Sequence, residues 1–187
     1  MLNDDGLIWR SRFTNTVFLN VKLWPNDTEV SLHMTPLTDE PNQQHIAFEK
    51  YKYVLSKILQ NSIFVEHDEQ EHKAFNALNN DVIDFFSRPV DQVVGVCLLA
   101  KMNSIAGEHL QVNALEIESW QGENLRFVIT PDSPEYGLMN ECGIKNAWWF
   151  EKSPRFCNFT KQTLTWDDLG FKIDDNNDRF KIIKGGL

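Results

Sequence analysis

The chain lacks most of the features that mark an enzyme at sight. Neither glycine-rich phosphate loop occurs, G-x-G-x-x-G or the P-loop pattern, so no motif is present to seat a nucleotide on a helix N-terminus. There is no Cys-x-x-Cys, and the three cysteines, Cys97, Cys142 and Cys157, are an odd number at irregular spacing. That argues against both a zinc-finger pattern and a disulfide framework. No apolar run approaches the roughly 18 residues of a membrane span. Residues Met1 to Asp5 are acidic where a signal peptide is basic, so the expected setting is a cytoplasm with no membrane attachment. Bases are scarce as well. In 187 residues, 18 Lys and Arg stand against 27 Asp and Glu, a net charge of −9. Affinity for nucleic acid comes mainly from Lys and Arg neutralising phosphates, so direct nucleic-acid binding is not expected, and a protein partner fits better.

What is present is a globular pattern, 42% hydrophobic and 24% charged, with no repeat or linker, which reads as a single domain over residues 1–187. Apolar residues alternate at Val17, Leu19, Val21 and Leu23, then at Val30, Leu32 and Met34, and predict a β-hairpin turning at Pro25-Asn26-Asp27. A helix is expected over about 42–60, with Ala47, Tyr51, Val54, Leu55, Ile58 and Leu59 on one face. A short β-prone piece at 62–65 precedes a second helix over 68–86, carrying Phe75, Leu78, Val82 and Phe86. A third helix over 90–105 opens after Pro89 and is apolar on most sides, so it belongs at the centre. A β region from 110 to 117 turns at 121–124 and returns from 125 to 130. Its inward set changes phase between Ala114 and Leu115, as a bulge requires. Gly170 to Ile173 and Arg179 to Lys184 suggest a closing hairpin. The order predicts an α+β fold, a mainly antiparallel sheet built from hairpins with about three helices packed on one face.

Three constellations invite chemistry. His33 and Thr35 lie two apart on a predicted strand and point the same way, which is half of a two-histidine phosphoesterase motif; the alternative is a solvent face of Ser31, His33 and Thr35. His67 and His72 are five apart, whereas a helical zinc pair needs four, and the acids between them suit the start of a helix. Asp174, Asn176 and Asp178 begin a calcium loop that then fails, because Arg179 stands where glycine is required. No metal or cofactor is therefore expected. Trp148, Trp149 and Phe150 are consecutive, with Trp166 beyond them, and read either as a plug over the sheet or as a partner-contact surface. A second contact surface is the acidic helix bearing Glu69 and Glu71, since residues 61–90 carry a local net charge of −4.

Trp9-Arg10 before the hairpin, the stretch Pro89 to Ile105 and the Trp148-Trp149 pair, in a compact acidic chain, resemble the small uncharacterised accessory proteins of large T-even-type tailed phages. The resemblance implies a bacterial host cytoplasm and no catalytic residue. The leading expectation is thus a non-enzymatic phage-type accessory protein that modulates host or phage machinery by protein binding through Trp148, Trp149, Phe150, Trp166, Glu69 and Glu71. The alternatives are a small phosphoesterase or nucleotide hydrolase using His33 and Thr35, and a virion assembly or structural component.

Overall fold

The computed structural model describes residues 6–77, 81–160 and 164–172. Strands β1 (Leu7–Leu19) and β2 (Lys22–Pro36) form a long antiparallel hairpin. Its turn is at Asn20-Val21, five residues before the expected Pro25-Asn26-Asp27, and both residues take positive φ, 52° and 61°. Two consecutive left-handed residues make the tight turn whose twist matches paired strands. Pro25 instead lies inside β2, paired with Thr16, on a stretch that β5 does not reach, so its missing N–H interrupts no second ladder.

Helix α1 (Pro41–Tyr53) runs on into a π turn, Val54–Ile58. Strand β3 (Ile63–Glu66) and strand β4 (Val82–Phe85) then pair in parallel, with helix α2 (Glu69–Asn76) between them. The helix expected over 68–86 is therefore half right. Asp68 caps α2, its carboxylate accepting from the N–H groups of Gln70 and Glu71 at 2.8 and 3.0 Å. Val82 to Phe85, by contrast, is a strand buried at every position. A short apolar run of this kind has no helical period of its own, and parallel pairing with β3 decides it.

Helix α3 (Asp91–Ala106) is buried on nearly all sides, as its sequence requires. Gly95 brings it close to the sheet: a Cβ there would meet Ile129 Cγ1 at 2.9 Å and Ile117 Cγ2 at 3.1 Å. Strands β5 (Leu110–Ser119) and β6 (Phe127–Ile129) complete a sheet of order β4-β3-β1-β2-β5-β6, and helix α4 (Pro134–Glu141) follows. The bulge is present, with the register shifting between His33–Ala114 and Met34–Val112 so that Asn113 is the extra residue. Of the expected closing hairpin, only residues 170–172 are described and they form no strand; the rest of it and the calcium-like run lie outside the described residues.

The α+β class and the mainly antiparallel sheet hold. The helices do not all share one face, however. Phe13, Val17, Val30, Leu32 and Leu115 join α1 and α3 in the main core, whereas Phe75 of α2 packs with Ile63, Val65, Val82 and Phe18 in a separate cluster. Strand alternation puts Ile63 and Val65 on the side opposite Phe64, so α2 covers the other face at the β3–β4 end. No helix among the described residues is long and apolar enough to cross a membrane.

Candidate functional site

His33 and Thr35 are each tied to partners of their own and form no joint site. His33 lies on the face of β2 away from the main core, and its Nε2 is 2.8 Å from Glu116 Oε1. Its partner is a carboxylate, which Arg126 also approaches at 3.5 Å, and not the second histidine that phosphoesterase chemistry needs. Thr35 Oγ1 accepts from Asn113 Nδ2 at 2.6 Å, tied to the bulge. Glu71 is half-buried on α2, where burial and the charges of Asp68 and Glu66 raise its carboxyl pKa; Glu69 opens the same helix.

Trp148 and Trp149 are fully buried (0% exposed), Trp166 is nearly so, and Phe150 is exposed. The aromatic stretch is the plug and not the contact surface. Trp148 packs edge-on against Phe85 at 5.8 Å and tilted against Phe156 at 4.9 Å, and its indole Nε1–H donates to the Asp84 carbonyl at 2.7 Å. β4 is the edge strand, so this segment covers backbone that would otherwise invite another chain.

Two buried charges hold the segment in place. Lys101 of α3 is fully buried and its ammonium donates to three carbonyls, those of Trp148, Glu151 and Ser153, at 2.9, 2.8 and 2.7 Å. The face of Phe156 lies 4.8 Å from the same nitrogen. Three acceptors match the three N–H groups of an ammonium, while burial opposes the charge and pushes the pKa down to about 7. Glu151 raises it and Arg155 lowers it further. Asp84, also fully buried, accepts from the Asn158 backbone N–H at 2.6 Å and from Asn158 Nδ2 at 2.9 Å, and is 2.6 Å from His67 Nδ1. The His67 ring stacks on Phe159 at 4.4 Å, and His72 meets the same ring at 4.9 Å.

Between these two anchors run Pro154, Arg155, Phe156 and Cys157, which form one wall of a cleft of about 350 Å³. The opposite walls come from the end of the π turn (Lys57 and Ile58), from α2 (His72 and Asn76) and from the start of β4 (Asp81 to Ile83). The cleft's lining is mixed, with Ile58, Ile83, Leu164 and Leu169 beside polar side chains. Lys57, His72 and Arg155 bring basic groups to it, and among its described lining residues Asp81 is the one carboxylate. Arg155 donates to the Asn146 carbonyl and pairs with Glu151 at 3.1 Å, yet its Nε is buried with no partner among the described residues. Cys157 is no nucleophile at neutral pH: burial, then the nearby Asp84, push its pKa up to about 11, against hydrogen bonds from Thr160 and Phe159. No group of three or more metal-ligating side chains occurs among the described residues.

Asp84, Lys101 and Asn158 were not legible as site residues, although two of them left a trace. Each charge interrupts an apolar run, Val82-Ile83-Asp84-Phe85 and Leu98-Leu99-Ala100-Lys101-Met102. A lone charge in such a run must find a buried partner.

No protein-family model matches the chain, and no curated protein matches it significantly. Among solved structures, it is similar to a catalytic-residue mutant of 6-pyruvoyltetrahydropterin synthase from Plasmodium vivax, at 10% identity and a TM-score of 0.40, covering 66% of this chain and 95% of that chain. The expectation of a non-enzymatic accessory protein that binds its partner through the tryptophans is corrected by the fold itself. The tryptophans that were to make the protein contact, Trp148, Trp149 and Trp166, are interior and unable to present that surface.

Proposed function

We propose that the protein binds a small anionic organic molecule in the cleft at the start of β4, with a phosphate or carboxylate held by Lys57, His72 and Arg155 and an apolar body against Ile58, Ile83 and Leu169. One observation carries this reading: in a chain of net charge −9, a cleft of mixed polar and apolar lining gathers three basic side chains, one of them with a buried N–H that has no partner among the described residues. The volume is that of a ligand pocket for a molecule of roughly mononucleotide size. The wall is pre-organised, because Lys101 fixes the backbone before it and Asp84 fixes the residue after it, so little ordering entropy is left to lose on binding. The cytoplasmic setting and the absence of direct nucleic-acid binding expected from charge are kept.

A ligand that binds the native state stabilises it by an amount that grows with the logarithm of its concentration over its dissociation constant, and so raises the melting temperature. Nucleoside monophosphates and aromatic carboxylates are therefore expected to raise it, and the matching uncharged nucleosides are not. Lys57→Glu, at an exposed position, is expected to abolish the shift without altering the unliganded melting temperature. If none of these anions moves the wild-type transition, or if Lys57→Glu leaves the shift intact, the reading is wrong.

A further inference from the structure

A second hollow, of about 200 Å³, lies where α1, the end of α3 and the C-terminal segment meet. Helical spacing builds one side of it, since Gln43 and Lys50 are seven residues apart on α1 and so share a face. His109 enters from the approach to β5, and Lys152 and Trp166 enter from the C-terminal segment.

Its polar lining consists of donors and neutral groups. Lys50, Lys152 and His109 are joined by the Gln43 amide and the Ser104 hydroxyl, and no carboxylate is among its lining residues. Lys50 donates to the Ile105 carbonyl at 3.3 Å, which neutralises the exposed negative end of α3, and its ammonium lies 5.5 Å from the Trp166 ring. Asp167 is the acid that faces Lys50, and burial lowers the lysine's pKa in spite of it. His109 Nδ1 is buried with no partner among the described residues. Lys152 is exposed at the rim, its backbone carbonyl accepting from the Trp166 indole. A buried polar atom without a partner is costly, and where His109 carries its proton on Nδ1 a compact anion supplies the acceptor it lacks.

We propose that this hollow is an oxyanion site, independent of the cleft at β4, which takes phosphate or a small polycarboxylate between Lys152, His109 and Lys50. The Trp166 indole N–H, hydrogen-bonded to Lys152 and lying under Lys50, is its built-in reporter.

The test uses the full-length, ¹⁵N-labelled protein, with the Trp166 indole resonance assigned by its loss in Trp166→Phe. Titration with inorganic phosphate and separately with citrate is expected to move that resonance saturably with at least one of them, and the effective one identifies the anion class. Lys152→Gln and His109→Gln are each expected to weaken binding about tenfold. Lys57→Glu, in the other cleft, is expected to leave it unchanged, so that this site and the proposed ligand cleft stand or fall separately. The proposal is overturned if neither anion gives a saturable shift, if Lys152→Gln and His109→Gln bind like the wild type, or if Lys57→Glu abolishes the response.

Discussion

The two ends of the sheet are built on different principles. On the side beyond β3, the central strands β1, β2 and β5, of 13, 15 and 10 residues, pair by long ladders broken by the one bulge, and their polar face is tied by surface ion pairs such as Arg12–Asp27 and Arg126–Glu118. At the other end β3 and β4 have four residues each, and the edge is closed by irregular backbone fastened to the buried charges of Asp84 and Lys101. Backbone hydrogen bonding within a ladder leaves few polar groups to satisfy. An irregular segment inside a core leaves many, and only long side chains that carry several donors or acceptors can reach them. Around β3 and β4 this places the buried charges of Asp84 and Lys101, the unpartnered Arg155 Nε and the larger cleft.

The contrast is broken most directly at its anchors. Lys101→Met is expected to cost about 3–5 kcal/mol, because three buried carbonyls lose their donor at once. Trp148→Ala is expected to cost a similar amount, about 3–5 kcal/mol, through the cavity and the lost indole bond to Asp84. Urea denaturation followed by circular dichroism measures both. Values below about 1 kcal/mol would mean that the segment is not held as described. Asp84→Asn is expected to fall lower, at about 1–3 kcal/mol, since the amide keeps one acceptor for Asn158 but not both.

Lys101 also gives the short-stranded end a pH signature. Its native pKa is pushed down to about 7, while the unfolded lysine keeps its ordinary value of 10.5. Between these values the unfolded chain binds the additional proton, so stability rises with pH, and below about 7 the contribution is flat because both states are protonated. Cys157, with its native pKa raised to about 11 from 9.0, acts in the opposite sense only at higher pH. Denaturation midpoints from about pH 7 to about pH 8.5 are therefore expected to climb in the wild type and to lose that slope in Lys101→Met. An equal slope in both would remove Lys101 as its source.

Sequence reading succeeded at one end of the sheet and failed at the other for the same physical reason. Period-2 alternation revealed the Val30 to Met34 part of β2 and β5 with a bulge, expected between Ala114 and Leu115 and found at Asn113, because each strand has one buried and one polar face. Of β1, whose expected span was 16–24, it caught only the last residues. The hairpin turn was misplaced because Asn20-Val21 adopts its left-handed geometry with a β-branched valine, a residue that carries no turn signal. Val82 to Phe85 is buried on both faces and has no alternation to read. The cleft and the oxyanion hollow depend on residues more than a hundred positions apart, such as Lys50 and Lys152, whose meeting is set by the route of the irregular segment. No local pattern encodes that route, and the partners of Lys101 are carbonyls, which every residue carries.

The smallest effect is expected at the long-stranded end, and it is the sharper half of the comparison. His33 pairs with Glu116 on a half-buried sheet face, and with Arg126 also at Glu116 the carboxylate keeps a partner when the imidazole is removed. His33→Ala is accordingly expected to change stability by less than about 1 kcal/mol, as partly solvated polar pairs do. The same substitution leaves the cleft at β4 and the oxyanion hollow untouched, so both ligand titrations should be unaltered. If His33→Ala instead abolished either response, polar groups at the regular end would matter to function, and the division between an inert ladder and a functional irregular edge would fail.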